Sequence, residues 1–283
     1  MKTAIVTDST AYIPQELRDS LNIYMIPLSV IIGGETYQEE VDITASQFYE
    51  EVRSQDKLPT TSQPPIGQFV ELFEKLSKEY DAVISIHLSS GISGTYQGAV
   101  QAGDMVNGID VHTFDSEISC MVQGFYAIEA AKLANEGKDV KEIMTALHDK
   151  KTTTRAYFMV DDLSHLQRGG RLSSAQAFIG SLLQVKPLLH FVDKVIVPFE
   201  KIRTRKKALK RIENMLEEDV KKGYFLQASI IHANREEEAK QWKAELEAKF
   251  PEVEFTISYF GPVIGTHLGE GSMGMGWSKK VAM

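Results

Sequence analysis

The stretch that decides the fold is Ala82-Val83-Ile84-Ser85-Ile86-His87-Leu88-Ser89-Ser90-Gly91-Ile92-Ser93-Gly94-Thr95. Its first half, 81–88, is an apolar run of strand length, and a helical pattern follows over 93–106. The loop between them consists of small and hydroxyl residues, whose glycines let a ligand approach backbone N–H groups at the helix N-terminus. This stretch predicts a buried strand, an anion-binding loop and a helix in succession.

A second hydroxyl-rich loop, Pro59-Thr60-Thr61-Ser62-Gln63-Pro64-Pro65, also precedes a helical pattern. Neither loop contains Lys or Arg, so an anion there would be held by hydroxyls, N–H groups and helix dipoles. Such a site favours a carboxylate or a single phosphate over a polyphosphate nucleotide. For either loop alone, simple capping of the helix is an equal alternative. The presence of two such loops favours a ligand site.

Strand and helix patterns alternate through the first half of the chain, which predicts an α/β fold with a mostly parallel sheet. The apolar run 22–32 is unusually long for one strand, and 44–53 begins with a capping box at Thr44. The predicted strands are 3–6, 81–88 and 109–114, and the predicted helices are 14–21, 44–53, 66–80, 93–106 and 117–135.

The pattern changes from about residue 152, and we therefore expect two domains, an N-terminal α/β domain at 1–151 and a C-terminal α/β domain at 152–283. No linker rich in Pro, Gly or Ser separates them, so they should pack closely. The segment 163–183 mixes helix and turn signals. The other predicted elements are strands at 157–160, 226–232 and 253–259, helices at 204–222 and 235–249, and a hairpin at 186–197 with Asp193-Lys194 at its turn.

The glycine-rich tail formally matches Gly-x-Gly-x-x-Gly at 269–274, but its context excludes a dinucleotide site. It lacks both the strand-to-helix unit and an acidic residue about 20 positions further on. We expect a strand with the methionines and Trp277 on one face and Gly274 and Gly276 on the other, where backbone or ligand can come close. His267, just before it, is either structural or a ligand contact.

Composition excludes several classes of function. The 283 residues carry a formal charge of −8, which argues against nucleic-acid binding. The single cysteine, Cys120, excludes an internal disulfide and fits a reducing compartment. Residues 1–8 lack the apolar region of a signal peptide, and 175–191 is too polar to span a bilayer, so we expect a cytoplasmic location. No metal or cofactor motif is present.

Basic residues are concentrated in two places. Arg168 and Arg171 flank a Gly-Gly turn, and an arginine fork suits phosphate or carboxylate. Seven cations fall within 201–211, where a solvated helix face is the simplest interpretation. In an acidic protein this segment could also serve as a protein-interaction surface for an acidic partner or make transient membrane contact.

An acyl hydrolase using Ser93 as nucleophile and His267 as base is a further alternative. Gly91-Ile92-Ser93-Gly94-Thr95 lacks the second glycine of the Gly-x-Ser-x-Gly elbow, because position 95 is Thr. The spacing of the histidines selects no base.

Six ordered motifs resemble those of the DegV family over nearly the whole chain. Members of this family are bacterial fatty-acid-binding proteins, some of which are the substrate-carrying subunit of a fatty acid kinase. The motifs are Thr7-Asp8-Ser9-Thr10, Pro59-Thr60-Thr61-Ser62-Gln63-Pro64, Leu88-Ser89-Ser90-Gly91-Ile92-Ser93-Gly94-Thr95, Val160-Asp161-Asp162-Leu163, Arg168-Gly169-Gly170-Arg171-Leu172 and the tail 261–276.

The resemblance implies a two-domain DegV-like fold with a lipid tunnel between and within the domains, and a binding protein rather than an enzyme. The ligand implied is a long-chain fatty acid of the palmitate, stearate or oleate type. The family's carboxylate site falls on Thr61 or Ser62, on Ser93 and the Gly94 amide, and on His267. Arg171 and Arg203 fall on the surface that meets the kinase.

Overall fold

The computed structural model describes residues 2–55, 57–172 and 186–280. A four-stranded parallel sheet with the order β2-β1-β6-β7 organises the first half. Its strands are β1 (Thr3–Asp8), β2 (Ile23–Ile26), β6 (Ala82–His87) and β7 (Asp110–Asp115). The helices of this half are α1 (Gln15–Leu21), α2 (Ala45–Arg53), α3 (Ile66–Leu76), α4 (Thr95–Met105), α5 (Cys120–Asn135) and α6 (Val140–Thr153).

A three-stranded antiparallel sheet lies beside the parallel one, in the order β4-β3-β5. It consists of β3 (Ser29–Ile32), β4 (Glu35–Gln38) and β5 (Thr60–Ser62). The apolar run 22–32 is thus two strands in different sheets, with Pro27 between them. Because proline lacks the N–H that a strand ladder requires, it separates β2 from β3. This small sheet places Thr61 opposite Val30.

The second half of the chain forms a six-stranded sheet in the order β10-β9-β8-β13-β11-β12, in which only β11 and β12 pair in parallel. Its strands are β8 (Arg155–Met159), β9 (Lys186–Val192), β10 (Val195–Ile202), β11 (Leu226–His232), β12 (Glu254–Tyr259) and β13 (Met273–Lys279). The helices are α7 (Ser164–Arg168), α8 (Arg205–Val220), α9 (Glu236–Lys249) and α10 (Pro262–Leu268).

Helix α5 is buried between the parallel sheet and the six-stranded sheet. Its side chains share one apolar core with Ile84 of β6 and with Phe158 and Ile231 of the six-stranded sheet. The opposite face of the six-stranded sheet is covered by α8 and α9, where Trp277 packs with Leu216 and Trp242. Two apolar layers therefore enclose this sheet, and the layer beside α5 connects the two halves of the molecule.

The predicted α/β fold is confirmed. Most of the predicted helices and strands begin and end within a few residues of the observed boundaries. The capping box at Thr44 is present, with Gln47 as its partner. The prediction for the tail is also correct: Met273, Met275 and Trp277 face α8 and α9, whereas Gly274 and Gly276 face α5. Helix α10, which carries His267, was not anticipated.

The division into two domains between residues 151 and 152 falls in the last turn of α6 and stays a prediction. Of the mixed segment 163–183, the part up to residue 168 contains α7, and residues 173–183 lie outside the described structure. Over the described ranges, no helix combines the length and apolar character needed to cross a membrane.

A buried ion pair in the first half of the chain is also bonded to the second half. Lys150 Nζ of α6 donates to Glu129 Oε2 of α5 at 2.6 Å and to the Lys279 carbonyl of β13 at 2.8 Å.

Lys150→Met should lower the free energy of unfolding by about 3 kcal/mol, because it leaves the Glu129 carboxylate buried without its partner. Urea denaturation measures this change. The double variant with Glu129→Leu should recover most of the loss, and a double variant as unstable as Lys150→Met would contradict the explanation.

Candidate functional site

The loop after β6 is held in place from three directions before α4 begins. Leu88 N–H donates to Asp8 Oδ2 at 3.0 Å, and Ser90 N–H donates to Asp115 Oδ1 at 3.1 Å. The Ser89 hydroxyl donates to the carbonyl of Lys194, at the turn between β9 and β10, at 2.6 Å. Backbone and side-chain hydrogen bonds therefore fix this loop against both halves of the molecule.

Ser93 and Gly94 form the N-terminus of α4. Ser93 Oγ accepts a hydrogen bond from Thr95 N–H at 3.3 Å and lies 2.9 Å from Thr95 Oγ1. Within the described part of the chain, the Gly94 N–H has no acceptor, so it is available to a ligand. A Cβ at position 94 would overlap Gln63 Oε1. The Gln63 side chain therefore lies directly against Gly94, where the two hydroxyl-rich loops meet.

Thr61 and His267 are brought together although 206 positions separate them. Thr61 Oγ1 of β5 lies 2.9 Å from His267 Nε2 of α10. Glycine at position 169 permits the close approach of the imidazole on its other side, since a Cβ there would overlap His267 Nδ1. The hydroxyl and the imidazole thus form one polar group shared by the two halves of the chain.

His267 is neutral at pH 7. Burial is the main cause that lowers its pKa, and the positive charge of Arg171 and the nearby His165 lower it further, to about 4. The Arg171 Nε–H donates to the Ile92 carbonyl at 3.3 Å, and its Nη1 donates to the Gly169 carbonyl. The permanent positive charge near the imidazole therefore belongs to Arg171.

The position of α10 depends on a buried carboxyl group that the sequence analysis missed. Glu39 Oε1 accepts hydrogen bonds from Val263 N–H in the first turn of α10 at 2.7 Å and from the Tyr12 hydroxyl at 2.8 Å. Glu39 Oε2 accepts from the Ser9 hydroxyl at 2.6 Å. Burial raises the pKa of Glu39 to about 8. This network fixes the start of the helix that carries His267.

A cavity of about 270 Å³ extends from these polar groups between α5 and the six-stranded sheet. Its polar lining consists mainly of Thr61, Ser62, Gln63, Ser93, Gly94, Ser119, Arg171 and His267. The remaining walls are almost entirely apolar and include Gly274 and Gly276 of β13. The apolar lining residues are Leu28, Leu88, Ile92, Cys120, Val122, Ala156, Phe158, Leu166, Phe191, Ile196, Ile231, Phe260, Val263, Ile264, Leu268 and Met275.

The structure places all five predicted ligand contacts, Thr61, Ser62, Ser93, Gly94 and His267, on the wall of this one cavity. Arg171, expected on a partner surface, also lines the cavity. Arg203 is exposed just after β10 and is not among the lining residues. Among the polar lining residues, Gln63 and Ser119 were missed, and Arg171 was expected on a partner surface instead of at the cavity. The only sequence signal for Gln63 was its place inside the hydroxyl-rich loop.

The acids and histidines of the described chain are not arranged for metal binding: nowhere do three or more His, Cys, Asp or Glu residues form a suitable group. A buried row links Ser85 Oγ to His87 Nε2 at 2.6 Å and His87 Nδ1 to Asp8 Oδ2 at 3.0 Å. These three side chains are fully buried and absent from the cavity wall. Their hydrogen bonds hold the ends of β1 and β6 together beneath the loop.

Together, the fold and the cavity define the class of molecule: an α/β protein that encloses an apolar cavity with one polar end. A family model described as "Uncharacterised protein, DegV family" matches residues 2–280. Protein DegV of Bacillus subtilis is 63% identical over 281 residues, which are 99% of this chain and 100% of that protein. The chain therefore belongs to the DegV family, as its motifs indicated.

Solved structures agree with this assignment. The crystal structure of DegV from Bacillus subtilis, described as a fatty acid binding protein, matches with a TM-score of 0.95 and 63% identity, covering 99% of this chain and 100% of that one. A DegV family protein from Thermus thermophilus, described by its fatty acid binding, matches with a TM-score of 0.93 and 30% identity, at 99% and 100% coverage. The predicted DegV-like fold is confirmed.

The depressed pKa of His267 gives a direct test of the site's electrostatics. In the ligand-free protein, the His267 ring signals should titrate in NMR with a midpoint near pH 4 rather than 6.5. Arg171→Met should move the midpoint upward, because it removes a positive charge that disfavours the imidazolium. The unfolded chain takes up this proton near pH 6.5, so the stability contributed by this group falls as pH drops from 6.5 towards 4. A wild-type midpoint near 6.5 would contradict this description.

Proposed function

We propose that this protein binds a long-chain fatty acid, with the carboxylate at the polar end of the cavity and the acyl chain along its apolar walls. The observation that supports the proposal is that Thr61, Ser93, Gly94 and His267 line the same cavity, whose other walls are mostly apolar. Solved relatives at 63% and 30% identity are described as fatty acid binding, which supports the same ligand class here.

The energetics fit a ligand of this kind. Each methylene removed from water contributes about 0.8 kcal/mol, so the acyl chain supplies most of the affinity. The carboxylate loses hydration when it is buried and must receive hydrogen bonds in exchange. The Thr61 and Ser93 hydroxyls and the Gly94 N–H are suitable donors. His267 is neutral, so it can donate from only one ring nitrogen.

Arg171 completes the electrostatics of the site. The two loops contain no cation, and His267 is uncharged at neutral pH. The Arg171 guanidinium, which lines the same cavity, therefore supplies the positive charge that attracts an anionic headgroup. A neutral ester would leave this charge unmatched, which favours a free acid over an ester.

We also propose that the bound acid is presented to a separate fatty acid kinase in the cytoplasm, and that this chain performs no catalysis itself. Hydroxyls, an amide N–H and an imidazole can hold a carboxylate and equally an acyl phosphate, so the product need not dissociate at once. Arg203 is exposed and is available to a partner. Arg171 has its guanidinium bonded to the backbone at the cavity wall, so its principal role is towards the ligand.

The hydrolase alternative is weakened by the observed hydrogen bonds. A serine nucleophile needs a base within hydrogen-bond reach. His267 Nε2 bonds to Thr61 Oγ1, whereas Ser93 Oγ is engaged with Thr95, and no bond joins Ser93 to His267 in the described structure. Among the described residues, Ser93 therefore lacks the bond to His267 that would activate it, which favours binding over hydrolysis.

The alternative of a protein-interaction regulatory module depended on the cations of 201–211. Several of these cations are paired within the molecule: Arg205 with Glu238, Lys210 with Glu213, and Arg211 with Glu200. Pairing of these side chains on the surface of α8 agrees with a solvated helix face. This segment therefore gives little support to a function independent of the cavity.

Fatty acid binding can be tested with a matched pair of variants in β5. Thr61→Val should weaken binding of oleate or palmitate about tenfold or more, because it removes a hydroxyl donor to a charged group. Thr60→Val is the control, since Thr60 is the exposed neighbour of Thr61 and lines no part of the cavity. Calorimetry and native mass spectrometry measure the binding. A wild-type protein that carries no lipid and takes up neither acid would refute the proposal.

Presentation to a kinase is tested separately. Arg203→Ala should reduce the rate of acyl phosphate formation by an added bacterial fatty acid kinase and ATP, while leaving fatty acid affinity unchanged. The reason is that Arg203 is exposed and away from the cavity wall. Lys206→Ala, another exposed cation nearby, is the control. A wild-type protein that binds fatty acid but yields no acyl phosphate with any such kinase would exclude this role.

A further inference from the structure

Glu39 is a carboxyl group in the protein interior that has no cation paired with it. Its side chain follows β4 and is completely buried. Its neighbour in the chain, Glu40, accepts a hydrogen bond from the Tyr259 hydroxyl at 2.7 Å and interacts with the charge of Arg18. In the part of the chain that the structure describes, no Lys, Arg or His side chain forms an ion pair with Glu39. An ionised Glu39 is therefore a buried negative charge that only hydrogen bonds stabilise.

The two oxygens of Glu39 have different partners, which determines where a proton can lie. Oε1 accepts from the Val263 N–H, which can only donate, and from the Tyr12 hydroxyl. Oε2 contacts the Ser9 hydroxyl, which can accept as well as donate. Ser9 Oγ also accepts from the Leu28 N–H at 3.0 Å, which leaves one lone pair for a proton from Oε2. Both charge states of Glu39 are thus compatible with the observed contacts.

Helix α10 connects this carboxyl group to the ligand cavity. Val263, which donates to Glu39, lines the cavity, and His267 lines it one helical turn further on. Four helical residues advance about 6 Å, so charges at the two places are close enough to interact. Burial is the main cause that raises the pKa of Cys120, another lining residue, and the charge of Glu39 raises it further. The field of an ionised Glu39 therefore reaches the cavity wall.

We propose that Glu39 governs fatty acid binding through its protonation state, with the neutral carboxyl group favouring the bound ligand and the ionised one disfavouring it. This inference rests on the proposed binding of a fatty acid. The ligand brings a negative charge of its own to the polar end of the cavity. Two like charges at this range, in surroundings of intermediate dielectric constant, change an equilibrium roughly tenfold. Glu39 is a positioning residue, since it contacts α10 and does not line the cavity.

The groups that surround Glu39 define the pH range of this effect. Burial raises the pKa of Glu39 to about 8, and the charge of Glu40 raises it further. Burial also raises the pKa of Glu40, of the cysteine and of each tyrosine around Glu39, and His267 is neutral above about pH 4. The titratable and charged groups facing Glu39 are Tyr12 after β1, Arg18 of α1, Glu40, Tyr49 of α2, Cys120 of α5 and Tyr259 of β12.

The sign of the pH dependence follows from linkage. A bound anion makes ionisation of Glu39 harder, so the loaded protein holds this proton to a higher pH than the free protein does. Binding therefore takes up protons from solution in the pH range where the free protein has lost them. Affinity should be constant well below pH 8 and should fall as the pH rises through 8.

The test measures the affinity for oleate or palmitate by calorimetry at several pH values. Wild-type affinity should be about fivefold weaker at pH 9 than at pH 6.5, and buffers of different ionisation enthalpy should show uptake of about half a proton at pH 8.5. Glu39→Gln should abolish both effects, because the amide resembles the neutral acid: its oxygen accepts from Val263 and its NH₂ donates to Ser9. Ionisation of the ligand itself affects both proteins equally.

Glu40→Gln is the matched control. Glu40 is the adjacent acid and is partly buried, but among the described residues its side chain bonds to Tyr259 and not to α10. This variant should keep the proton uptake and the decline in affinity, with a lower midpoint because a negative charge near Glu39 is lost. Thermal unfolding checks that the variants fold. If Glu39→Gln does not fold, the Glu39 Cδ signal of ¹³C-labelled wild-type protein provides the test, since its midpoint should lie near pH 8 and rise when fatty acid is added.

The outcomes separate this inference from the proposed function. If the wild-type protein binds fatty acid without proton uptake at pH 8.5, or with a Glu39 midpoint that the ligand leaves unchanged, the inference is wrong and fatty acid binding stands. The same holds if Glu39→Gln retains the full decline, or if Glu40→Gln abolishes it. If the wild-type protein binds no fatty acid at any pH, the proposed function fails, and the inference fails with it.

Discussion

The contact between Thr61 and His267 is the constraint on which the site depends. The two atoms lie 2.9 Å apart, yet one belongs to a small antiparallel sheet in the first half of the chain and the other to a short helix in the second. Neither half can assemble the polar end alone. The buried Glu39 carboxyl, which bonds the first turn of that helix, and the loop tied to Lys194 hold the two halves in the required register.

Two glycines of β13 allow neighbouring groups to pack closely at the cavity wall. Gly274 and Gly276 lie opposite the face of the strand that is filled by Met273, Met275 and Trp277. A Cβ at position 274 would overlap Phe158, and one at position 276 would overlap Val122 of α5. The alternation of this strand therefore gives one face of the sheet large packed side chains and the other face close contacts beside the cavity.

Several features of the fold and the site could be predicted from the sequence, because they depend on local patterns of residue type. The strand and loop at 82–95 and the glycine face of β13 follow from periodicity and residue type, and they were predicted correctly. The division of 22–32 into two strands depends on which sheet each half pairs with, a tertiary choice that periodicity does not encode. The resemblance placed Arg171 on a partner surface. Its position at the cavity wall depends on hydrogen bonds to the Ile92 and Gly169 carbonyls, which a sequence cannot show.

Strand β13 is the last in chain order but lies in the interior of its sheet, between β8 and β11. During synthesis, the backbone groups along one edge of β8 and one edge of β11 therefore stay unpaired. They stay so until more than 40 residues after β11 have emerged. Unpaired edges of this kind recruit other strands. The wall of the cavity that β13 forms is therefore completed last, and every earlier stage of the chain exposes the apolar faces of β8 and β11.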